Sequence, residues 1–131
     1  MERAASWYDV PLPLLVAVLG QEGGAVGRAY PRPTGTYFGP GQISDKWVPQ
    51  LSHWGFTADS LRDSACQNVT ASAYVLAYYE LREHDWTRAV ARYNVGSLDT
   101  PAQREAGTRY ASKVMNRWWT LYNKWSSHAA Q

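Results

Sequence analysis

The sequence predicts a mainly α-helical single domain with an irregular Gly/Pro loop placed to shape a cleft, and three observations predict the helical domain. Apolar residues recur at three- and four-residue spacing through most of the chain. Capping and stop residues fall at the ends of those stretches, while no run alternates well enough to read as a strand. The length, 131 residues, is that of one domain able to bury a core without disulfides or metals as staples.

The elements follow in order. Arg3 to Tyr8 reads as a short helix stopped by Asp9, Val10 and Pro11. Pro11 and Pro13 fit the opening of a second helix, where a missing N–H costs little. In that helix Leu15, Val18, Leu19 and Glu22 follow the i, i+3, i+4, i+7 pattern, which puts the Glu22 carboxylate on the core-facing side; Gly23 and Gly24 end it. From Gly24 to Gly41 the residues Gly27, Pro31, Pro33, Gly35, Gly39 and Pro40 break any regular helix and suit a loop or a small irregular hairpin.

Ser44 is placed to cap a helix whose Trp47, Leu51 and Trp54 share one face, with Gly55 stopping it. Thr57 caps a short turn through Leu61. A longer helix from about Ala65 to Arg82 carries Val69, Ala73, Leu76 and Ala77 on one side and reads as the central buried helix. Asp85 caps Trp86 to Tyr93, which Asn94 and Gly96 end. Thr100, Pro101 and Gln103 make a start of capping-box type for the last helix, whose stripe is Tyr110, Val114, Trp118, Leu121, Tyr122 and Trp125. The tail from Ser126 is expected to fray.

Composition narrows function by exclusion. Net charge is +2, and the 13 Lys and Arg are scattered, so there is no nucleic-acid footprint. The run Leu12 to Leu19 is too short to span a bilayer, and no secretion signal of the usual shape is visible; either the protein works in the cytoplasm or a signal has been removed. Cys66 is the only cysteine, and His53, His84 and His128 show no ligand spacing, which argues against metal chemistry. Aromatic content is unusual: 7 Trp and 9 Tyr against 2 Phe. Such rings suit a half-wet groove, as for carbohydrate, but the simpler reading is a Trp-rich core; composition alone names no ligand.

Glu22 is the residue with most chemical promise. A carboxyl at a helix C-terminus, bordered by apolar residues, is disfavoured in its charged form by the macrodipole and by poor solvation, which makes a general acid. The alternative is a Glu at the solvated end of its helix.

Four short motifs, in order, resemble those of the lytic transglycosylases with a soluble-lytic-type catalytic domain, nearest to the small members that accompany conjugation, secretion and pilus machines. LLVAVLGQEGG resembles the motif holding the catalytic glutamate. GTYFGPGQIS with Trp47, Val48 and Pro49 resembles the Gly-x-x-Gln-Ile loop, and ACQNVTASAYVLAYY the helix with a Cys-x-Asn start. AVARYNVG followed by RYASKV resembles the Tyr-Asn-x-Gly and Tyr-Ala-x-x-Val pair. Together they cover about Val10 to Val114.

The resemblance implies a lysozyme-like fold with a catalytic cleft beside the irregular Gly/Pro loop, and cleavage of the β-1,4 bond between N-acetylmuramic acid and N-acetylglucosamine in peptidoglycan, leaving a 1,6-anhydromuramyl end. It makes Glu22 the acid and then the base, so one carboxyl suffices and no cofactor is needed. It makes Gln42, Tyr37, Phe38 and the backbone around Gly39 line the cleft; Tyr93 and Asn94 hold sugar or position Glu22; Tyr110 bonds near the carboxylate. Each of these residues also has a purely structural reading, Asn94 as a helix end, Tyr93 and Tyr110 as core. The implied partners are peptidoglycan strands and a secretion, conjugation or pilus assembly, with a periplasmic or envelope location inferred from the substrate.

This chain also departs from the pattern. Gly23 replaces the usual Ser after the glutamate, Phe38 stands where relatives carry Asp, and Gly41 replaces a Met expected to cover the sugar. Cys66 matches a position that in relatives often pairs with a cysteine near the N-terminus, which points to a segment lost just ahead of Met1; the alternative is a buried free thiol. Asn68, Val69 and Thr70 spell a glycosylation sequon, discounted inside a helix. Two other functions stay open: a muramidase using a positioned water and a second carboxylate such as Asp45, and a wall-binding assembly module without turnover.

Overall fold

Local start and stop signals set the helix boundaries of the computed structural model, which describes residues 1–129. Helix α1 (Glu2–Trp7) leads into α2 (Leu12–Glu22), which opens on Pro11 and Pro13 and closes at Gly23 in the left-handed conformation, φ 64°. The Gly/Pro stretch forms an antiparallel sheet of β1 (Ala29–Arg32), β2 (Gly35–Phe38) and β3 (Ile43–Ser44), in that spatial order. Tyr30 pairs with Tyr37 and Phe38 with Ile43. The hairpin is therefore more regular than expected. Pro31 is tolerated because β1 is an edge strand, where its missing N–H breaks no inner ladder.

The single helix expected after Ser44 is instead three short pieces: a 3-10 turn (Asp45–Trp47), α3 (Val48–Leu51) and a second 3-10 turn (Ser52–Trp54). Pro49, which lacks an N–H, sits at the start of the middle piece. Trp54 is consequently exposed while Leu51 is buried, so the two do not share a face.

The next helices begin as their caps dictate. In α4 (Ala58–Asp63) Thr57 and Ser60 form a reciprocal capping box. Ser64 caps α5 (Ala65–Glu83), and Asp85 accepts from the Thr87 and Arg88 amides at the start of α6 (Trp86–Val95). Thr100 and Gln103 bond each other's backbone amides at 3.1 and 3.0 Å to open α7 (Pro101–Ala129). With no Gly or Pro after Gly107, α7 continues past Ser126, where fraying was expected.

Helix α5 divides the interior. One cluster joins it to α1, α2, α6 and α7 through Leu14, Leu15, Val18, Leu76, Val90 and Val114; the other joins it to the sheet, α3 and α4 through Phe38, Ile43, Leu51, Leu61 and Val75. Each fully buried aliphatic side chain stabilises the fold by roughly 1.5–3 kcal/mol. No Trp is buried: Trp7, Trp54, Trp119 and Trp125 are exposed, and Trp47, Trp86 and Trp118 are half-buried, so the core is aliphatic and small. Cys66 is exposed, which removes the buried-thiol reading. Among the described residues no helix is long and apolar enough to cross a membrane.

Candidate active site

Glu22 is the last residue of α2 and is half-buried. Helix α7 packs across α2 and α6, close enough that a side chain added at Gly107 would stand 3.1 Å from Ala91 Cβ. This crossing aims Tyr110, itself buried, at the acid: its hydroxyl donates to Glu22 Oε2 at 2.5 Å. Burial pushes the Glu22 carboxyl above its ordinary value of 4.5, while the Tyr110 hydrogen bond and the Arg32 charge pull it partway back. The end of α2 adds its carbonyl dipoles to the same effect. The Tyr110 and Tyr93 hydroxyls are in turn held protonated, by burial first and by the Glu22 charge second.

Gln42 holds the other side of this helix end. Its Nε2 donates to the backbone carbonyl of Glu22 at 3.0 Å, satisfying an orphan C-terminal acceptor, and its Oε1 accepts from Arg32 at 3.2 Å. Gln42 adopts φ 48°, a left-handed conformation that costs an L side chain about 1–2 kcal/mol. Those two bonds and its own N–H bond to Gly39 O, 3.0 Å, hold it there.

The loop carrying Gln42 is clamped from α5 and α6. Asn68, fully buried, donates to the carbonyls of Phe38 and Leu61 at 2.7 and 2.8 Å and accepts the Gly41 N–H at 2.8 Å. Tyr93 donates to Gly41 O at 2.6 Å. Gly24 lies so near that an added Cβ would stand 2.0 Å from Gly39 O. A Cβ at Gly41 would meet Ser72 Oγ at 2.0 Å, so the space a side chain would need there is inside the protein. Gly41 is thus a packing requirement rather than a lost cover for sugar. The Asn68 amide, buried and bonded, is no acceptor for glycosylation.

Other predicted residues fall elsewhere. Phe38 is buried in the core beside Ile43, and its carbonyl serves Asn68. Gly39 is also buried; its N–H goes to Arg28 O and its carbonyl takes the Gln42 N–H, so its backbone is spent on the loop. Tyr37, Tyr93 and Asn94 line a groove of about 700 Å³ together with Trp47, Tyr78 and Lys46. Tyr37 shares a 2.7 Å hydrogen bond with Thr34, and Trp47 meets Tyr78 edge-on. Glu22 and Gln42 lie outside that lining, with Tyr93 the side chain common to the groove and the acid's surroundings.

Arg32, Asn68 and Ser72 were not among the predicted site residues. Asn68 belongs to the Cys-x-Asn helix start, which was its one signal; nothing local marks Arg32. Asp45 accepts the Thr36 N–H at 3.2 Å and so holds the hairpin, and no carboxylate among the described residues acts on Glu22. Nor do three or more His, Cys, Asp or Glu gather as a metal site among the described residues. No protein-family model matches the chain, and no curated protein matches it either.

Proposed function

We propose that the protein is a peptidoglycan lytic transglycosylase of lysozyme-like fold, with Glu22 as general acid and then base. The observation that carries this reading is the acid itself: one carboxyl, its pKa raised by burial, bonded to a buried Tyr110, with no second carboxylate among the described residues acting on it. A two-carboxylate hydrolase needs a partner acid within ~10 Å across the bond, whereas attack by the substrate's own hydroxyl does not. Protonated Glu22 gives its proton to the glycosidic oxygen as the bond to the muramyl anomeric carbon breaks. The 2-acetamido group stabilises the positive centre. Ionised Glu22 then takes the proton of the 6-hydroxyl as that oxygen closes on the anomeric carbon, leaving an anhydro end and a protonated acid. The aromatic and amide lining of the groove suits sugar faces and acetamido groups. On this reading the protein works in the cell envelope, opening the wall for a secretion, conjugation or pilus assembly.

Mass analysis of soluble products from purified peptidoglycan tests it. Anhydromuramyl ends from the wild type and none from Glu22→Gln are expected. Reducing ends, heavier by one water, would make the protein a muramidase. No product from either protein, with binding intact, would make it a wall-binding module.

Tyr110→Phe supplies a second check. Its hydroxyl stabilises the charged carboxylate, so removing it raises the Glu22 pKa further. The rate requires protonated Glu22 and falls as pH rises through that pKa. In the variant this alkaline limb is expected to move to higher pH, with the same products formed; an unmoved limb would detach Tyr110 from the acid.

A further inference from the structure

We propose that the groove reads charge on its glycan: resting on the transglycosylase reading above, Lys46, Arg82 and Arg32 select strands that carry carboxylates over neutral strands of the same backbone. Rings and amides alone do not make that choice. Chitin and peptidoglycan share a β-1,4 backbone and acetamido groups; they differ in the lactyl arm of every second peptidoglycan sugar, whose carboxyl is free or extended by a peptide stem. A groove of Tyr, Trp and Asn meets the same sugar faces in both, so discrimination has to come from groups that meet the arm.

Cations supply it. Lys46 and Arg92 line the groove, and none of its described lining residues is Asp or Glu. Further guanidinium groups lie on the tyrosines of that lining: Arg82 is 3.4 Å from the Tyr78 ring centre and Arg32 is 5.9 Å from that of Tyr37, while Arg92 is 4.5 Å from that of Tyr79. Burial raises the pKa of the Tyr79 hydroxyl, and the charges of Arg92 and Arg82 both reach it and pull the other way. Separations of this size are shorter than the screening length of about 8 Å at physiological salt.

The cations are not equally free. Arg92 is braced by Glu83 at 3.5 Å and by the Gly96 carbonyl at 3.1 Å. Among the described residues Lys46, Arg82 and Arg32 have no acidic partner, and all three are exposed. Arg82 donates to the Tyr78 carbonyl at 3.0 Å and Arg32 to Gln42 at 3.2 Å, so each keeps other N–H groups for a carboxylate. Arg32 also joins the groove to the acid, because the Gln42 it touches donates to the Glu22 carbonyl.

The test is calorimetry on the full chain carrying Glu22→Gln, so that no strand is cut during binding. The probes are soluble peptidoglycan strands with their stems, strands stripped of stems by an amidase, stripped strands with their carboxyls converted to methylamides, and chitohexaose. Carboxylate strands are expected to bind about tenfold tighter than the methylamides or chitohexaose, with a gap that narrows in salt. Lys46→Gln with Arg82→Gln, and separately Arg32→Gln, should each close part of the gap, circular dichroism verifying the fold. A preference lost on stripping assigns the stem carboxylates, and one that survives assigns the lactyl carboxylate. Equal binding of charged and methylamidated strands, a gap unmoved by salt, variants that keep the full gap, or tighter binding of a thymidine oligonucleotide would each overturn the proposal. Anhydromuramyl ends from the wild type without a carboxylate preference would sink this inference alone; the preference without those ends would sink the transglycosylase reading alone.

Discussion

Glu22→Gln is expected to lower turnover of peptidoglycan about a hundred- to ten-thousandfold and, at neutral pH, to make the protein more stable. The two effects have one cause. Burial raises the folded-state pKa of Glu22 above its unfolded value, so the protonated acid is the form the fold accepts. The stability this contributes is complete below the unfolded pKa and is lost as pH rises through the folded one. Gln is neutral at every pH, retains an acceptor for Tyr110, and escapes that loss. Thermal unfolding of the two proteins from about pH 4 to pH 7 checks this: the variant's advantage should grow with pH through the window above the ordinary carboxylate value of 4.5. A difference independent of pH would mean that burial does not raise the Glu22 pKa.

Asn68→Ala is expected to be the most damaging substitution for the fold, lowering stability by about 3–5 kcal/mol. The side chain is fully buried and satisfies three backbone groups, the Gly41 N–H and the carbonyls of Phe38 and Leu61. Stripping a buried group of its partner costs roughly 1–3 kcal/mol each. Against a total of about 5–15 kcal/mol, this should lower the melting temperature by ~10 °C or more, read by calorimetry. Asn68→Asp should also destabilise, increasingly as pH rises, because a carboxylate keeps the bond to Gly41 but faces two carbonyls it cannot donate to. The loop that Asn68 holds also carries Gln42, so activity should suffer in both variants even below their melting points.

Helix starts were legible because caps are local. Thr57, Ser64, Asp85 and Thr100 each accept from an amide two or three residues on, within one turn of where the chemistry shows in the sequence. The sheet was not legible as strands. Its longest strands have four residues, β1 is mostly exposed, and Pro31 and Gly35 remove the alternation that would betray them. Glu22, Gln42, Tyr93 and Tyr110 could be singled out by chemistry and motif, and the structure brings them together. Asn68 could not be assigned its work, because its loop partners Gly41 and Phe38 lie 27 and 30 residues away. Phe38 and Gly39 were misplaced for the opposite reason: in a Gly-rich loop, core and surface positions look alike until the register of β2 is known.

The Tyr110–Glu22 bond joins residues 88 apart in the chain, one near each end of the fold. During synthesis the acid therefore emerges from the ribosome long before its tyrosine. The sheet can pair and α5 can pack while α7 is still untranslated, yet Glu22 then has neither the hydroxyl nor the helix that buries it. On the proposed reading, a protein that cuts the cell wall is born without its cutting chemistry and acquires it only when the last helix folds back over the first ones.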